Sequence, residues 1–348
     1  MPWSRRAFVI STAILAVSCS SGGGSHTTVP PTSPRSLDRP LAWAALRNPI
    51  LSSADAAVKD PALVAFDGGW VVLYSRVDRA GVWRIGIARS RDLRTWSDIT
   101  TMPHDPTVEG EASPDVTRRP DGAYVVTYQS SRHDRAGALS KVYARTTSDF
   151  RSFSAPIRLA ANLHNGRDDR LIDAALAWSP AGLLLGYKLG TDEQHFEMAR
   201  SVSGSLAGPW QLIGRPNISL YGDTVENYQF IRIDGNWTLL ATSNAFDHPE
   251  LMQLHGDASQ PTGWLDWSAP RELQVPQERF NPGRGATGVN FEHANCAFLV
   301  DRRTVDGFFY LVYADAPEMS NFDAQGHAVL AIARSTDLVH WTVPTPAK

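Results

Sequence analysis

Five ionisable residues recur at one position of a repeated pattern, and four of them are carboxylic acids. Asp60, Asp115, Asp173 and Glu226 each open an apolar stretch, and His293 precedes a fifth. Successive members are separated by 53 to 67 residues, so only a repetitive fold can bring them together. Carboxyl groups that lie close raise one another's pKa, which leaves a protonated acid beside an ionised base. Such a pair can perform general acid and general base catalysis. Taken alone, each acid could instead face solvent beside a strand turn.

Two repeated units must position these residues. The first is a strand that ends in a Ser/Asp turn and is followed by an aromatic residue. It occurs at residues 87–93, 143–150, 198–201 and 332–338, with a weaker copy that ends at Trp264 and Trp267. The second unit is a pair of apolar strands joined by a glycine-containing turn, which is a strong hairpin signal. It occurs at residues 61–74, 115–128, 174–187, 228–241 and 296–313.

Five periods of three or four short strands predict an all-β fold, a five-bladed β-propeller. A β-sandwich would not repeat one motif five times, and the repeats of a solenoid are usually shorter. The first strand of each propeller blade lines the central channel. We therefore expect the four acids and the histidine to form a ring around one mouth of that channel.

Four motifs carry a resemblance to a known family. They are KDPALV at Asp60, SPDV at Asp115, LIDAAL at Asp173 and VENYQF at Glu226, each opening a successive blade. Together, over roughly residues 60–341, they resemble glycoside hydrolase family 43. Two positions depart from the family: the usual Glu-Gly-Pro is replaced after Glu226, and Ser113 stands where Trp or Ala usually precedes the proline.

The resemblance implies an inverting glycosidase that acts on an oligo- or polysaccharide with arabinofuranosyl or xylosyl linkages. It implies that Asp60 is the general base, Glu226 the general acid, and Asp173 the residue that keeps Glu226 protonated. An alternative is a non-catalytic, carbohydrate-binding lipoprotein on the same scaffold. A third is a relative that acts on fructans or mannosides, although Lys59 replaces the asparagine that fructan enzymes carry.

Further residues are expected near the sugar, and one near a metal. His293 matches a blade-five histidine that some family members place near a calcium ion in the channel, so we keep a calcium site open while expecting no required cofactor. A histidine without metal is the alternative. The other candidates for substrate binding are Asp115, Glu111, Trp83, Lys188, Tyr228 and Asn290.

The N-terminus has the features of an export signal. Arg5 and Arg6 precede a short apolar run at residues 9–17, which resembles a twin-arginine signal, with an ordinary secretory signal as the alternative. The run ends at Cys19 in a pattern that resembles a bacterial lipobox. We expect a signal peptide at residues 1–19, a flexible tether at 20–40 and the propeller at 41–348. The protein would then be lipid-anchored at the outer face of a bacterial membrane.

Composition excludes some partners. The 348 residues carry a net charge of −3, and no basic excess favours nucleic acid. We expect a monomer. Eleven tryptophans suit both β-structure and stacking against sugars. With Cys19 lipidated, Cys296 is the one remaining cysteine, in an apolar run typical of a buried, unreactive thiol.

Overall fold

The computed structural model describes residues 37–190, 194–218, 225–243, 248–276, 294–315 and 329–344. The predicted signal peptide, Cys19, Asn290 and His293 lie outside these ranges. The described helices are short: two 3₁₀ turns, Trp43–Ala45 and Pro261–Leu265, and one α-helical turn, α1 (Arg303–Asp306). None of the described helices is long and apolar enough to cross a membrane.

Within the described ranges, twenty strands form five antiparallel sheets of four, and the strands of each sheet follow one another in chain order. Blade I consists of β1 (Ala56–Phe66), β2 (Gly69–Asp78), β3 (Trp83–Ser90) and β4 (Trp96–Thr101). Blade II consists of β5 (Glu111–Arg118), β6 (Tyr124–Ser130), β7 (Val142–Thr147) and β8 (Ile157–Arg158). Blade III consists of β9 (Leu171–Ser179), β10 (Gly182–Leu189), β11 (His195–Ser201) and β12 (Trp210–Gly214). Blade IV consists of β13 (Val225–Ile233), β14 (Asn236–Ser243), β15 (Pro249–Gln253) and β16 (Arg271–Glu272). Blade V consists of β17 (Asn295–Asp301), β18 (Phe309–Asp315), β19 (Val329–Ser335) and β20 (Trp341–Thr342).

The first strands of the blades form a ring. Strand β1 contacts β5 and β17, β9 contacts β5 and β13, and β13 contacts β17. This arrangement confirms the five-bladed β-propeller predicted from the repeats. The hairpins follow the predicted chemistry, since Asp67-Gly68 and Asp234-Gly235 both adopt positive φ at the two central positions, as a type I′ turn requires.

The Ser/Asp motif builds one turn that recurs in three blades. The Ser90 hydroxyl accepts the backbone N–H of Leu93 at 2.8 Å, and the Asp92 carboxylate accepts that of Thr95 at 2.9 Å. Leu93 adopts a φ of 58° and is fully buried, so the turn directs an apolar side chain back onto the blade. The same bonds recur at Thr147, Asp149 and Phe150 and at Ser335, Asp337 and Leu338.

The hydrophobic core lies between neighbouring blades. One apolar cluster joins blades V, I and II, and three others join blades II and III, III and IV, and IV and V. Because each blade buries both of its faces, the blades pack into a rigid ring. That ring fixes the position of every side chain at the channel mouth.

The segment before blade I closes the ring. Leu51 exchanges backbone hydrogen bonds with Leu330 of blade V, and the Asn48 side chain bonds both backbone groups of Ile332. Arg302 donates to the carbonyls of Leu37 and Arg39. Leu37 is buried, so the packed domain already includes residues 37–40, which the sequence had suggested as part of the tether.

Candidate active site

The innermost strand of every blade contains a bulge, and at each bulge one residue adopts a left-handed backbone. These residues are Asp60, Ser113, Asp173, Asn227 and Cys296, with φ between 49° and 54°. A bulge kinks the strand and redirects its side chains. Left-handed backbone is uncommon for residues other than glycine and clusters at functional sites. The ring of equivalent positions around the channel is therefore built by five bulges.

The bulges correct the register expected from the sequence. Ser113, not Asp115, is the equivalent of Asp60, and Asn227 rather than Glu226 occupies the blade-IV position. The physical reason is the extra residue at each bulge, which an apolar-run count cannot see. A signal was present: a proline follows both Asp60 and Ser113 in the sequence.

An open cavity of about 410 Å³ lies at the channel mouth, and we call it the upper cavity. The carboxyl-bearing residues Asp60, Asp173 and Glu226, from blades I, III and IV, line it together with Trp83, as the sequence suggested. The sequence did not identify the remaining lining residues. They are Lys59, Ala112, Ser113, Gln129, Ser131, Arg132, Arg170, Ile172 and Asn227.

Asp60 is buried and only partly satisfied. One carboxylate oxygen accepts the Ser113 hydroxyl at 3.4 Å. The other, Oδ1, lies 3.7 Å from the Lys59 ammonium and accepts no hydrogen bond from the described residues. Burial lowers the pKa of Lys59, but the negative charges around it, with Asp60 first and Glu226 and Asp173 further away, together outweigh burial and raise the pKa. The Lys59 ammonium also lies 5.9 Å from the Trp83 ring centroid, a cation–π contact. Asp60 thus lines the cavity with a carboxylate whose buried Oδ1 is left without a hydrogen bond from the described residues, beside the Lys59 ammonium.

The pKa of Asp173 is raised above its ordinary value. Burial, and next the charge of Glu226, raise the pKa of Asp173 to about 7, while the cations of Lys188 and Arg170 limit the rise. Its backbone N–H donates to the Gln129 side chain at 2.7 Å, which fixes the bulge. At neutral pH the Asp173 carboxyl group is therefore close to half protonated.

Glu226 is ion-paired. Its carboxylate accepts the Lys188 ammonium at 2.9 Å, where Lys188 is 1% exposed and Glu226 26% exposed. A donated ammonium hydrogen bond favours the ionised form of a carboxyl group. The sequence argument had Asp173 keeping Glu226 protonated. In the structure the raised pKa belongs to Asp173, and the charge of Glu226 is one of its causes.

Glu111, an expected substrate ligand, holds a loop instead of lining the upper cavity. Glu111 is fully buried, accepts the backbone N–H of Asp105 at 3.0 Å and contacts the His104 ring nitrogen at 3.0 Å. These bonds fasten the loop between β4 and β5.

Tyr228, also an expected substrate ligand, belongs to the packed interior. Its hydroxyl donates to the Val225 carbonyl, and its ring lies 4.2 Å from that of Phe196. Burial raises its pKa well above the usual value, so the hydroxyl stays neutral.

Asp115 lies deeper in the channel, in a second cavity of about 20 Å³ that we call the lower chamber. That volume holds about one water molecule and excludes a sugar. Burial raises the pKa of Asp115 to about 7, although Thr117 and Val116 donate hydrogen bonds to it. Cys296 also lines the lower chamber, and burial raises its thiol pKa, as suits an unreactive cysteine.

No cluster of three or more metal-ligating side chains occurs among the described residues. The calcium expectation depended on His293, which is outside those residues, as is Asn290.

Comparisons with known proteins identify the fold. No family model and no curated protein matches the chain. Among solved structures, an α-L-arabinofuranosidase from Lactobacillus brevis matches 86% of this chain and 98% of its own, at 13% identity and a TM-score of 0.57. A family 43 endo-arabinanase from Bacillus licheniformis matches 82% and 95%, at 14% identity and 0.54. A family 130 glycoside hydrolase that targets β-1,2-mannosidic linkages matches 85% and 92%, at 16% identity and 0.55. The chain therefore has the propeller fold on which glycoside hydrolases of more than one family are built.

Proposed function

We propose that the protein is a glycosidase that cleaves arabinofuranosyl or xylosyl linkages with inversion, in the manner of family 43. One observation carries the proposal: three carboxyl groups from three blades meet in an open cavity at the mouth of the channel. The fold shared with an arabinofuranosidase and an endo-arabinanase supports a glycan as the substrate.

In the proposed reaction Asp60 is the general base. Its carboxylate accepts a proton from a water molecule, which attacks the anomeric carbon from one face of the sugar. Glu226 is the general acid and protonates the leaving oxygen from the other face. Inversion requires the two carboxyl groups to stand about 6.5–9.5 Å apart, so that the water fits between base and sugar.

Asp173 supplies the proton in this scheme. The proton resides on Asp173 in the protonated form of the site, while the Lys188 ammonium is bonded to Glu226. This proton passes to Glu226 as the glycosidic oxygen approaches. Activity should then fall as pH rises through about 7.

The ion pair also favours a second candidate function. If Lys188 kept Glu226 permanently ionised, the cavity would lack an acid and would serve only to bind carbohydrate. The protein would then be a carbohydrate-binding component of the cell envelope.

One experiment separates the two candidates. Arabinans, arabinogalactan and xylans are incubated with the wild-type chain and with Asp60→Asn and Glu226→Gln variants, and reducing ends are measured. We expect hydrolysis by the wild type alone, with the anomeric configuration of the first product inverted by NMR. A folded wild type that binds one of these glycans without cleaving it would establish the binding function.

We also propose that the protein is a monomer anchored outside the cell membrane by a lipid on Cys19. The twin-arginine signal and the lipobox pattern support this localisation. Replacement Cys19→Ser should move the exported protein from the membrane fraction to the soluble fraction. Unchanged membrane association would refute the anchor.

A further inference from the structure

The upper cavity has a cationic wall that takes no direct part in the proposed hydrolysis. Lys59 from blade I, Arg132 after β6 and Arg170 before β9 all line it. Hydrolysis of a neutral glycan needs the carboxyl groups but no guanidinium. These cations therefore indicate what else the cavity binds.

The two arginines lie on adjoining segments of this wall. The Ser140 hydroxyl donates to the Arg132 carbonyl at 3.3 Å. The Ser140 carbonyl accepts the backbone N–H of Leu171, the residue after Arg170, at 2.9 Å. One residue thus links the two segments at the boundary between blades II and III.

The segment that carries Arg170 is fastened at several points. The buried Lys141 ammonium donates to the carbonyls of Gly166, at 2.9 Å, and Asp169. Earlier in the segment, the His164 ring contacts the Glu197 carboxylate at 2.9 Å. A cation held on such a segment is preorganised for a ligand.

Charge balance leaves Arg170 unmatched. Lys59 faces Asp60, and Lys188 is bonded to Glu226. The Arg170 guanidinium, by contrast, forms no ion pair or hydrogen bond with the described residues, although it acts electrostatically on Asp173. Arginine presents a planar set of donors that matches the two oxygens of a carboxylate or phosphate.

We propose that Arg170, with Arg132 and Lys59, forms an oxyanion subsite in the upper cavity, so that the site takes an anionic group together with the sugar. The inference rests on the proposed glycosidase function and specifies its substrate class. The anion is either a carboxylate carried by the glycan, as in a uronic acid, or free phosphate bound beside it.

Calorimetry with a matched pair of ligands tests the subsite. Methyl β-D-glucuronide and methyl β-D-xyloside share one ring and differ by the carboxylate, and inorganic phosphate is titrated separately. The full-length Asp60→Asn chain is used so that no turnover occurs. Arg170→Gln and Arg132→Gln are added to it, with Arg167→Gln as control, because Arg167 is exposed on the same segment and does not line the cavity.

We expect the glucuronide to bind at least about tenfold more tightly than the xyloside. Replacing either Arg170 or Arg132 by glutamine should reduce this preference about tenfold. The preference should weaken with salt, and Arg167→Gln should leave it unchanged. If phosphate alone binds in an Arg170-dependent way while the two glycosides bind equally, the proposed subsite is supported and its ligand is a free anion, not a carboxylate on the glycan. Equal binding of the glycosides without phosphate binding would overturn the proposal, as would a preference that survives both arginine variants. None of these results depends on hydrolysis, so failure of the subsite and failure of the glycosidase function remain distinguishable.

Discussion

The upper cavity and the lower chamber lie in one channel and share Asp60 and Asp173 as lining residues. The two cavities differ in the groups that surround their carboxyl groups. In the upper cavity two of the carboxyl groups have an ammonium group beside them: Lys59 for Asp60 and Lys188 for Glu226. In the lower chamber Asp115 has hydroxyl and amide donors, and its pKa is raised by burial. A cavity of about 410 Å³ can admit a sugar, whereas one of about 20 Å³ cannot.

The difference shows that an acid on an inner propeller strand is not by itself a catalytic acid. Ser113 and Asp115 are two residues apart on β5, yet only Ser113 reaches the upper cavity. The bulge between them decides which side chain meets the substrate. Asp60 and Glu226, which have an ammonium group beside them in the upper cavity, can take part in catalysis. Asp115 has hydroxyl and amide donors instead, and its burial in the lower chamber lowers the stability of the folded protein.

The largest change in the pH dependence of activity should come from Asp173 in the upper cavity. Asp173→Asn keeps the shape of the side chain but removes the proton-carrying carboxyl group, so we expect kcat to fall by about 10²-fold or more. The activity limb near pH 7 should disappear with it. A pH–rate profile measures both. A variant that kept the wild-type limb would show that another group titrates there.

Substitution of Asp115 in the lower chamber should change the free energy of unfolding instead of kcat. The pKa of Asp115 is about 7 in the folded protein against the ordinary aspartate value of 3.8, so the folded state binds more protons between these values. Stability therefore falls as pH rises from about 4 to 7. Asp115→Asn should remove this loss and raise the free energy of unfolding by up to about 4 kcal/mol at pH 8. Thermal melting at pH 5 and pH 8 measures it, and an equal effect at both pH values would count against the burial explanation.

Substitution of Lys188 should change the electrostatics of the upper cavity and reduce activity without abolishing it. The Lys188 ammonium lowers the pKa of Asp173, so Lys188→Met should move the activity limb to higher pH. It also removes the charged partner of Glu226, for which we expect about a tenfold loss in kcat. The pH–rate profile is again the measurement. A limb that moved to lower pH would contradict the assigned electrostatics.

The smallest effect on chemistry should come from Glu111, which lies outside both cavities. Glu111→Gln weakens the bonds to Asp105 and His104, and we expect a loss of about 1–3 kcal/mol in unfolding free energy with kcat preserved. Denaturant unfolding and initial rates test this together. If kcat fell as far as in Asp173→Asn, Glu111 would have to be returned to the active site.

The fold could be predicted from the sequence because its signals are local. The Ser/Asp turn and the glycine hairpins each repeat with the same side-chain chemistry, and five repeats of three or four short strands indicate a propeller. Leu37 was missed because a single buried leucine at the edge of a polar segment carries no periodicity.

The site could be predicted only in part. Asp60, Asp173 and Glu226 lie together because each is on the inner strand of its blade, and Trp83 at the start of β3 joins them at the cavity. Asp115 could not be placed, because the bulge adds a residue that hydrophobic patterning does not register.

Arg132 and Arg170 were missed for another reason. They stand at strand ends, where side-chain direction depends on contacts such as those of Ser140. Those contacts join residues that are distant in sequence, so no local pattern reports them.

The central claim is that the upper cavity, and not the lower chamber, is where the glycan reacts. The most direct test compares initial hydrolysis rates of Asp60→Asn and Asp115→Asn on the arabinan or xylan that the wild type cleaves best, with both variants shown to be folded. We predict a loss of about 10²–10⁴-fold for Asp60→Asn and a nearly wild-type rate for Asp115→Asn. An active Asp60→Asn, or an Asp115→Asn that is equally inactive, would contradict the claim.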